Sequence, residues 1–201
     1  MILELLIQTC AVPNTPPAVI EQIITVESGE QMFAINVNSE TPIKVVTPTS
    51  LEDAVKLADK YIAEGYSVDM GYMQVNSQHL GKYNVTVKDV FDPCQNLYIG
   101  SDIFMRGYTA TKSYYGDTPL ALKTALSAYN TGTFHRGFEN GYNARYEPQD
   151  AQQEPAKQSG DYEARHSPMS VRLDFSNPYK KKAPPEGDAL EVKENIEPND
   201  E

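Results

Sequence analysis

Glu27 is the residue in this chain whose type and place best suit proton transfer. It follows Ile20, Ile23 and Ile24 at helical spacing, so a carboxylate closes an otherwise apolar stripe. Burial disfavours the charged form of a carboxyl, and so does the negative end of a helix dipole. Both raise its proton affinity toward the range useful for general acid catalysis. The plainer alternative is a solvated carboxylate at a helix edge. Ser28 stands beside Glu27 in the run Val26-Glu27-Ser28-Gly29. Further along, Gly71-Tyr72-Met73-Gln74-Val75-Asn76 alternates apolar residues with the amides of Gln74 and Asn76, which on one face would suit sugar hydroxyl and acetamido groups. Otherwise they are solvated amides of a turn. A third group, Ala128-Tyr129-Asn130-Thr131-Gly132, ends another apolar stripe with a hydroxyl and an amide. Asp69, close to the second group, is the best candidate for a second carboxylate, although Ser67, Val68 and Gly71 around it suggest a loop. No CxxC or His-rich spacing points to a metal site, and no cofactor is implied.

Helices must position these groups. Thr15 as N-cap, Pro16 and Pro17 in the first turn and Gly29 at the end predict a helix carrying Glu27. Residues 32–38 read as extended, and Ile43-Lys44-Val45-Val46 between Pro42 and Pro48 reads as a short strand, together a small hairpin. Thr49 with Glu52 forms a predicted capping box for a structural helix that ends near Gly65. Asp92-Pro93 starts a third helix, with Leu97, Ser101, Phe104 and Tyr108 on one face. Asp117-Thr118-Pro119 starts a fourth, whose stripe of Leu122, Ala125, Leu126 and Tyr129 would bring the Tyr129 hydroxyl and the Glu27 carboxyl to one groove.

With 201 residues the chain suffices for one cored domain plus an appendage. Its net charge of −11 argues against a nucleic-acid partner. Thirteen tyrosines offer flat faces and hydroxyls suited to sugar rings, though most are expected in the core. The apolar run at residues 1–7 is interrupted by Glu4, too short to span a membrane and a poor export signal. Cys10 and Cys94 are either bridged or two separate thiols, and the sequence leaves both open. Residues 134–146 keep aromatics and are expected to pack on the domain. Beyond them the composition changes. Residues 147–201 hold seven of fourteen prolines and carry a net −6 of the chain's −11. This stretch, with its basic run Lys180-Lys181-Lys182, is expected to be a disordered tail.

The three groups, in this order, resemble those of the lysozyme-like lytic transglycosylases of the soluble-transglycosylase superfamily, and most of all the peptidoglycan-cleaving subgroup of type IV secretion systems. Phe91-Asp92-Pro93-Cys94-Gln95-Asn96-Leu97 and a cysteine near position 10 are similar to that subgroup too. The resemblance covers roughly residues 10–146. It implies a mostly α, α+β lysozyme-like fold: an N-terminal segment at 1–14, the domain at 15–146 and the tail at 147–201. It implies Glu27 as catalytic acid, with Ser28, Gln74, Asn76, Tyr129 and Asn130 near substrate. The implied substrate is the peptidoglycan glycan strand, cleaved in the periplasm to a 1,6-anhydromuramic product, and the tail would meet secretion-system envelope components. Tyr72 stands where the family more often has leucine or isoleucine, which bears on groove shape. Hydrolytic lysozyme action and a weakly catalytic, wall-binding assembly role are the alternatives.

Overall fold

The helix that carries Glu27 forms where its punctuation says it should. In a computed structural model of the chain, which describes residues 2–146, α1 (Ile2–Cys10) is followed by α2 (Pro17–Ser28). Gly29 closes α2 in the left-handed region, its N–H donating to the Thr25 carbonyl. The cap position at the other end belongs to Pro16, not Thr15, and has no side-chain bond. The Thr15 hydroxyl instead donates to the Val12 carbonyl at 2.6 Å. Ile20, Ile23 and Ile24 are fully buried, as their spacing predicts.

After α2 come β1 (Ile35–Asn38), α3 (Leu51–Ala63), β2 (Ser67–Met70) and β3 (Val75–Asn76). The sheet is antiparallel in the order β1-β2-β3, with Ile35 opposite Met70 and Met70 opposite Val75. The predicted partner at residues 43–46 is not a strand. Val46 stays 82% exposed there, and the flanking prolines have no N–H to offer a ladder. β1 pairs with β2 instead, which buries Val68 and Met70 completely and leaves Ser67 and Asp69 on the other face. Asp69 therefore sits in the central strand and not in a loop. The cap of α3 is also shifted by one: Ser50, not Thr49, accepts from the Asp53 N–H.

Two short helices, α4 (Leu80–Tyr83) and α5 (Val87–Val90), lead into α6 (Pro93–Tyr115) and α7 (Pro119–Thr131). Asp92 caps the first of these, as predicted, and Thr118 the second, within the predicted Asp117-Thr118-Pro119 start, each with proline in the first turn. A final helix, α8 (Arg136–Glu139), and a 3-10 turn at Asn143–Tyr146 pack back on the domain. The fold is thus mostly helical with one small sheet. The expected disordered tail at 147–201 lies outside the described residues.

The core has two parts. One gathers Ile7, the α2 isoleucines, Met73, Leu97, Phe104, Leu126, Tyr142 and Tyr146. The other lies under the sheet, with Val68, Met70, Val75, Val90, Phe91 and Ile99. Tyr129 packs against both. Residues 2–10, placed ahead of the domain in the sequence reading, pack into the first part, and a Cys10–Cys94 disulfide joins α1 to the start of α6. Among the described residues no helix is long and apolar enough to cross a membrane.

Candidate active site

Glu27 lies half-buried in the last turn of α2. Its Oε1 accepts a 2.5 Å hydrogen bond from the Tyr142 hydroxyl, and the Tyr142 and Tyr146 hydroxyls are 2.6 Å apart. Burial raises the proton affinity of Glu27, and the charge of Asp69 adds to that. Tyr142, Arg145 and Asn130 act in the opposite sense, favouring the carboxylate. Burial prevails, so a larger share of Glu27 is protonated at a given pH than for a free glutamate.

Close packing brings the two tyrosines to this place. Gly137 has no room for a side chain: a Cβ there would come within 2.8 Å of the Ser127 backbone. The approach lets the Gly137 N–H donate to Ser127 Oγ at 2.8 Å, locking α8 on α7. The following turn is held against α2 by Gln22, whose Nε2 donates to the Tyr146 carbonyl at 3.1 Å. Tyr142 and Tyr146, four residues apart, then face Glu27.

Asp69 faces the site from the sheet side. Strand register puts Asn36 and Asn76 directly opposite it on its two neighbours. Its Oδ2 accepts from Asn38 Nδ2 at 2.8 Å and from Asn36 Nδ2 at 3.2 Å, and its Oδ1 from Asn76 Nδ2 at 2.6 Å. Three amide donors thus fix one carboxylate on the outward face of β2. Its charge acts on both Glu27 and Tyr129.

The turn between β2 and β3 shows what the predicted amides do. Gly71 has φ of +76°, and a Cβ there would lie 2.3 Å from Asn96 Nδ2. Asn96 is 1% exposed and spans the region: its Nδ2 donates to the Met70 and Val90 carbonyls, and its Oδ1 accepts from the Met73 N–H. Gln74 adopts φ of +48°, and its Nε2 donates to the Gly71 and Ala34 carbonyls. Asn76 Nδ2 is shared between Asp69 and Ser67. Gln74 and Asn76 therefore spend their amide donors on the turn and the sheet, and do not form one amide face.

The other expected residues divide. Ser28 is buried and its hydroxyl donates back to the Ile24 carbonyl at 3.0 Å, closing the last turn of the helix. The Tyr129 hydroxyl donates to the Met73 carbonyl at 2.6 Å, not to Glu27, which pins the turn to α7. Burial first, then the charge of Glu27, holds that phenol well above its ordinary pKa, so it remains a donor. Asn130 is exposed beside the Glu27 carboxyl. Sequence reasoning missed Tyr142, Tyr146, Asn36 and Asn38. The signal for the asparagines was the every-second-residue pattern of Ile35-Asn36-Val37-Asn38 facing Ser67-Val68-Asp69-Met70. For the tyrosines there was only their spacing of four. Among the described residues no group of three or more His, Cys, Asp or Glu side chains is arranged to hold a metal.

The site brings together a carboxyl whose proton affinity is raised by burial and a second carboxylate held by three amides. The family profile described as Transglycosylase SLT domain matches residues 4–152. The chain is 37% identical over 135 residues to the type IV secretion system protein virB1 of Brucella suis and of Brucella melitensis. That match covers 67% of this chain and 56% of each relative, so the chain spans little more than half of their length. Protein virB1 of Agrobacterium fabrum is 28% identical over 176 residues, 87% of this chain and 70% of the relative. No solved structure matches.

Proposed function

The chain belongs to the Transglycosylase SLT domain family, and from that premise we propose that it cleaves the β-1,4 bond between N-acetylmuramic acid and N-acetylglucosamine in peptidoglycan. The observation that carries this reading is Glu27: a carboxyl raised by burial, anchored through one oxygen by Tyr142. In its acid form Glu27 gives its proton to the glycosidic oxygen. The C1–O bond breaks, its electron pair leaves with the N-acetylglucosamine oxygen, and positive charge spreads over C1 and the ring oxygen. Glu27, now a carboxylate, takes the proton of the muramoyl C6 hydroxyl as that oxygen closes on C1. The product is 1,6-anhydromuramic acid and Glu27 is protonated again. One residue acting as acid and then base, on a nucleophile already tethered to the reacting ring, needs no second catalytic base. Exposed Asn130 is proposed to meet the substrate, with Gln74, Asn76 and Tyr129 shaping its bed from behind. We place the reaction in the periplasm, where it opens the wall for a type IV secretion apparatus. The names of the virB1 relatives and the disulfide, a bond at home in oxidising compartments, support that placement.

A hydrolytic second reading rests on Asp69. A carboxylate fixed by three amides, close enough to act on Glu27, is what a two-carboxylate glycosidase uses to stabilise C1 or to direct water. One experiment serves both readings. Purified peptidoglycan is digested and the muropeptides are weighed. Anhydro ends, one water lighter, are expected, with Asp69→Asn keeping most activity. Reducing-end muramic acid, together with an inactive Asp69→Asn, would establish the hydrolase. Glu27→Gln should lower turnover by roughly 10²–10⁴, and a folded Glu27→Gln protein with wild-type turnover would overturn both.

A further inference from the structure

Tyr142 and Tyr146 raise a question of proton inventory that the reaction leaves unused. A phenol carries one hydrogen. While Glu27 is a carboxylate, Tyr142 spends its hydrogen on Oε1, so across the 2.6 Å contact with Tyr146 it then accepts. Tyr146 must therefore be the donor, and the chain has a direction: Tyr146 to Tyr142 to Glu27. Both rings are buried, at 9% and 3% exposure, with centroids 5.2 Å apart. The Tyr146 backbone is itself fixed by Gln22, one and a half turns before Glu27 on the same helix.

We propose that Tyr146 is a positioning residue: by donating to Tyr142 it keeps the Tyr142 hydrogen on Glu27 Oε1, so that Oε2 is the oxygen that carries and returns the catalytic proton. This rests on the glycosidase reading for its use, but not for its test. Without Tyr146 the Tyr142 hydroxyl loses its one donor among the described residues and is free to turn, and its bond to the carboxylate loses the strengthening that linked donors give one another. Among the described residues, Glu27 meets Tyr142, Asp69 on β2, Arg145 on the same turn as Tyr146, and Asn130 and Tyr129 on α7; Tyr146 meets Glu27, Tyr142, Arg145 and Tyr129; and Arg145 lies over the Tyr142 ring. Burial first, then the charge of Glu27, keeps both phenols above their ordinary pKa, so each stays protonated throughout the working range.

Tyr146→Phe removes one oxygen and keeps the ring in the core. The test follows the carboxyl carbon of Glu27 by NMR across pH in the full chain, a measurement that needs no substrate. Donation to the carboxylate favours the charged form, so its loss moves the Glu27 midpoint upward. Tyr146→Phe should raise it, and Tyr142→Phe should raise it further. The double variant should match Tyr142→Phe alone, because Tyr146 acts through Tyr142. In wall digestion, Tyr146→Phe should lower kcat by roughly three- to tenfold with KM unchanged, and the alkaline limb should move up with the midpoint. An unmoved midpoint in Tyr146→Phe, or a double variant shifted beyond Tyr142→Phe, overturns the relay. If Tyr146→Phe does not fold, Tyr146→Leu read by the same titration decides in its place. If the wild type does not digest peptidoglycan, the proposed function fails while the titration still judges the relay.

Discussion

Asn96 is the point where a single side chain holds the site's second motif in place, and its removal has a magnitude that can be worked out. The side chain is buried and bonds three backbone groups: the Met70 carbonyl at the end of β2, the Val90 carbonyl at the end of α5 and the Met73 N–H in the turn. Asn96→Ala leaves all three without this partner. A buried polar group left unsatisfied costs about 1–3 kcal/mol. Taking the low half of that range for groups that partly relax, the three together cost on the order of 3–6 kcal/mol. That is a large part of the roughly 5–15 kcal/mol that holds a domain folded. At about 3 °C per kcal/mol for a chain of this size, the melting temperature should fall by roughly 9–18 °C. Scanning calorimetry at neutral pH measures this. A second variant tests the cause. Asn96→Asp keeps the shape and the acceptor for Met73 but turns a carboxylate toward two carbonyls, so it should be less stable than Asn96→Ala at neutral pH. It should recover as the pH falls and the new carboxyl is protonated into a donor. An Asn96→Ala protein melting within about 3 °C of wild type, or an Asp variant with no acid recovery, would refute the account of Asn96 as a clamp.

The disulfide and the acid give two further predictions. Cys10 and Cys94 lie 84 residues apart, and closing a loop of that length stabilises by about 4–5 kcal/mol in the chain-entropy account. Reduction, or a Cys10→Ser/Cys94→Ser double variant, should therefore lower the melting temperature by more than 10 °C, while a shift below about 3 °C would show that α1 docks without the bridge. For Glu27, burial raises the folded-state pKa above the unfolded value, so between the two values the native state binds more protons than the unfolded one. Stability from this group is therefore full below the unfolded carboxylate value and is lost as pH rises through the raised folded value. Measured as the difference in melting temperature between Glu27→Gln and wild type, the variant should gain relative stability with rising pH and then level off. A difference that is flat across pH would mean that Glu27 is solvated.

The helical frame was legible because its signals are local. Pro17 and Gly29 bound α2, Asp92-Pro93 and Thr118-Pro119 start α6 and α7, and the apolar stripes follow the helical period. Glu27 stood out for the same reason, as the one charge on such a stripe. The sheet was not legible in the same way, since its β1–β2 pairing joins residues about thirty apart. Nothing next to Asp69 in sequence indicates that Asn36 will lie opposite it. A loop reading of Ser67-Val68-Asp69-Met70 is reasonable until β1 supplies the partner that buries Val68 and Met70. The errors at Thr15 and Thr49 are one-residue shifts of a cap, where a neighbouring Pro or Ser took the position. Tyr142 and Tyr146 were hidden more deeply, because their meaning depends on Gly137 bringing α8 close to α7 and on Gln22 catching the following turn.

The two parts of the core explain why the site is divided between distant stretches of sequence. Glu27 belongs to the helical part, where isoleucines and tyrosines keep water away and raise its proton affinity. Asp69 belongs to the sheet, on a polar outward face where amides hold it. A carboxyl kept protonated and a carboxylate kept charged need opposite surroundings, and one element cannot supply both. Tyr129 packs against both parts, and its hydroxyl bonds the Met73 carbonyl in the turn that leads from one to the other. Tyr129 thus ties the turn after β2 to α7, between the two parts of the core that carry the carboxyls. Their mutual repulsion is part of what keeps Glu27 an acid. A substitution that loosens this seam should lower the proton affinity of Glu27, and so its protonated share, before it unfolds the protein, because it lets water reach Glu27 and moves Asp69 away together.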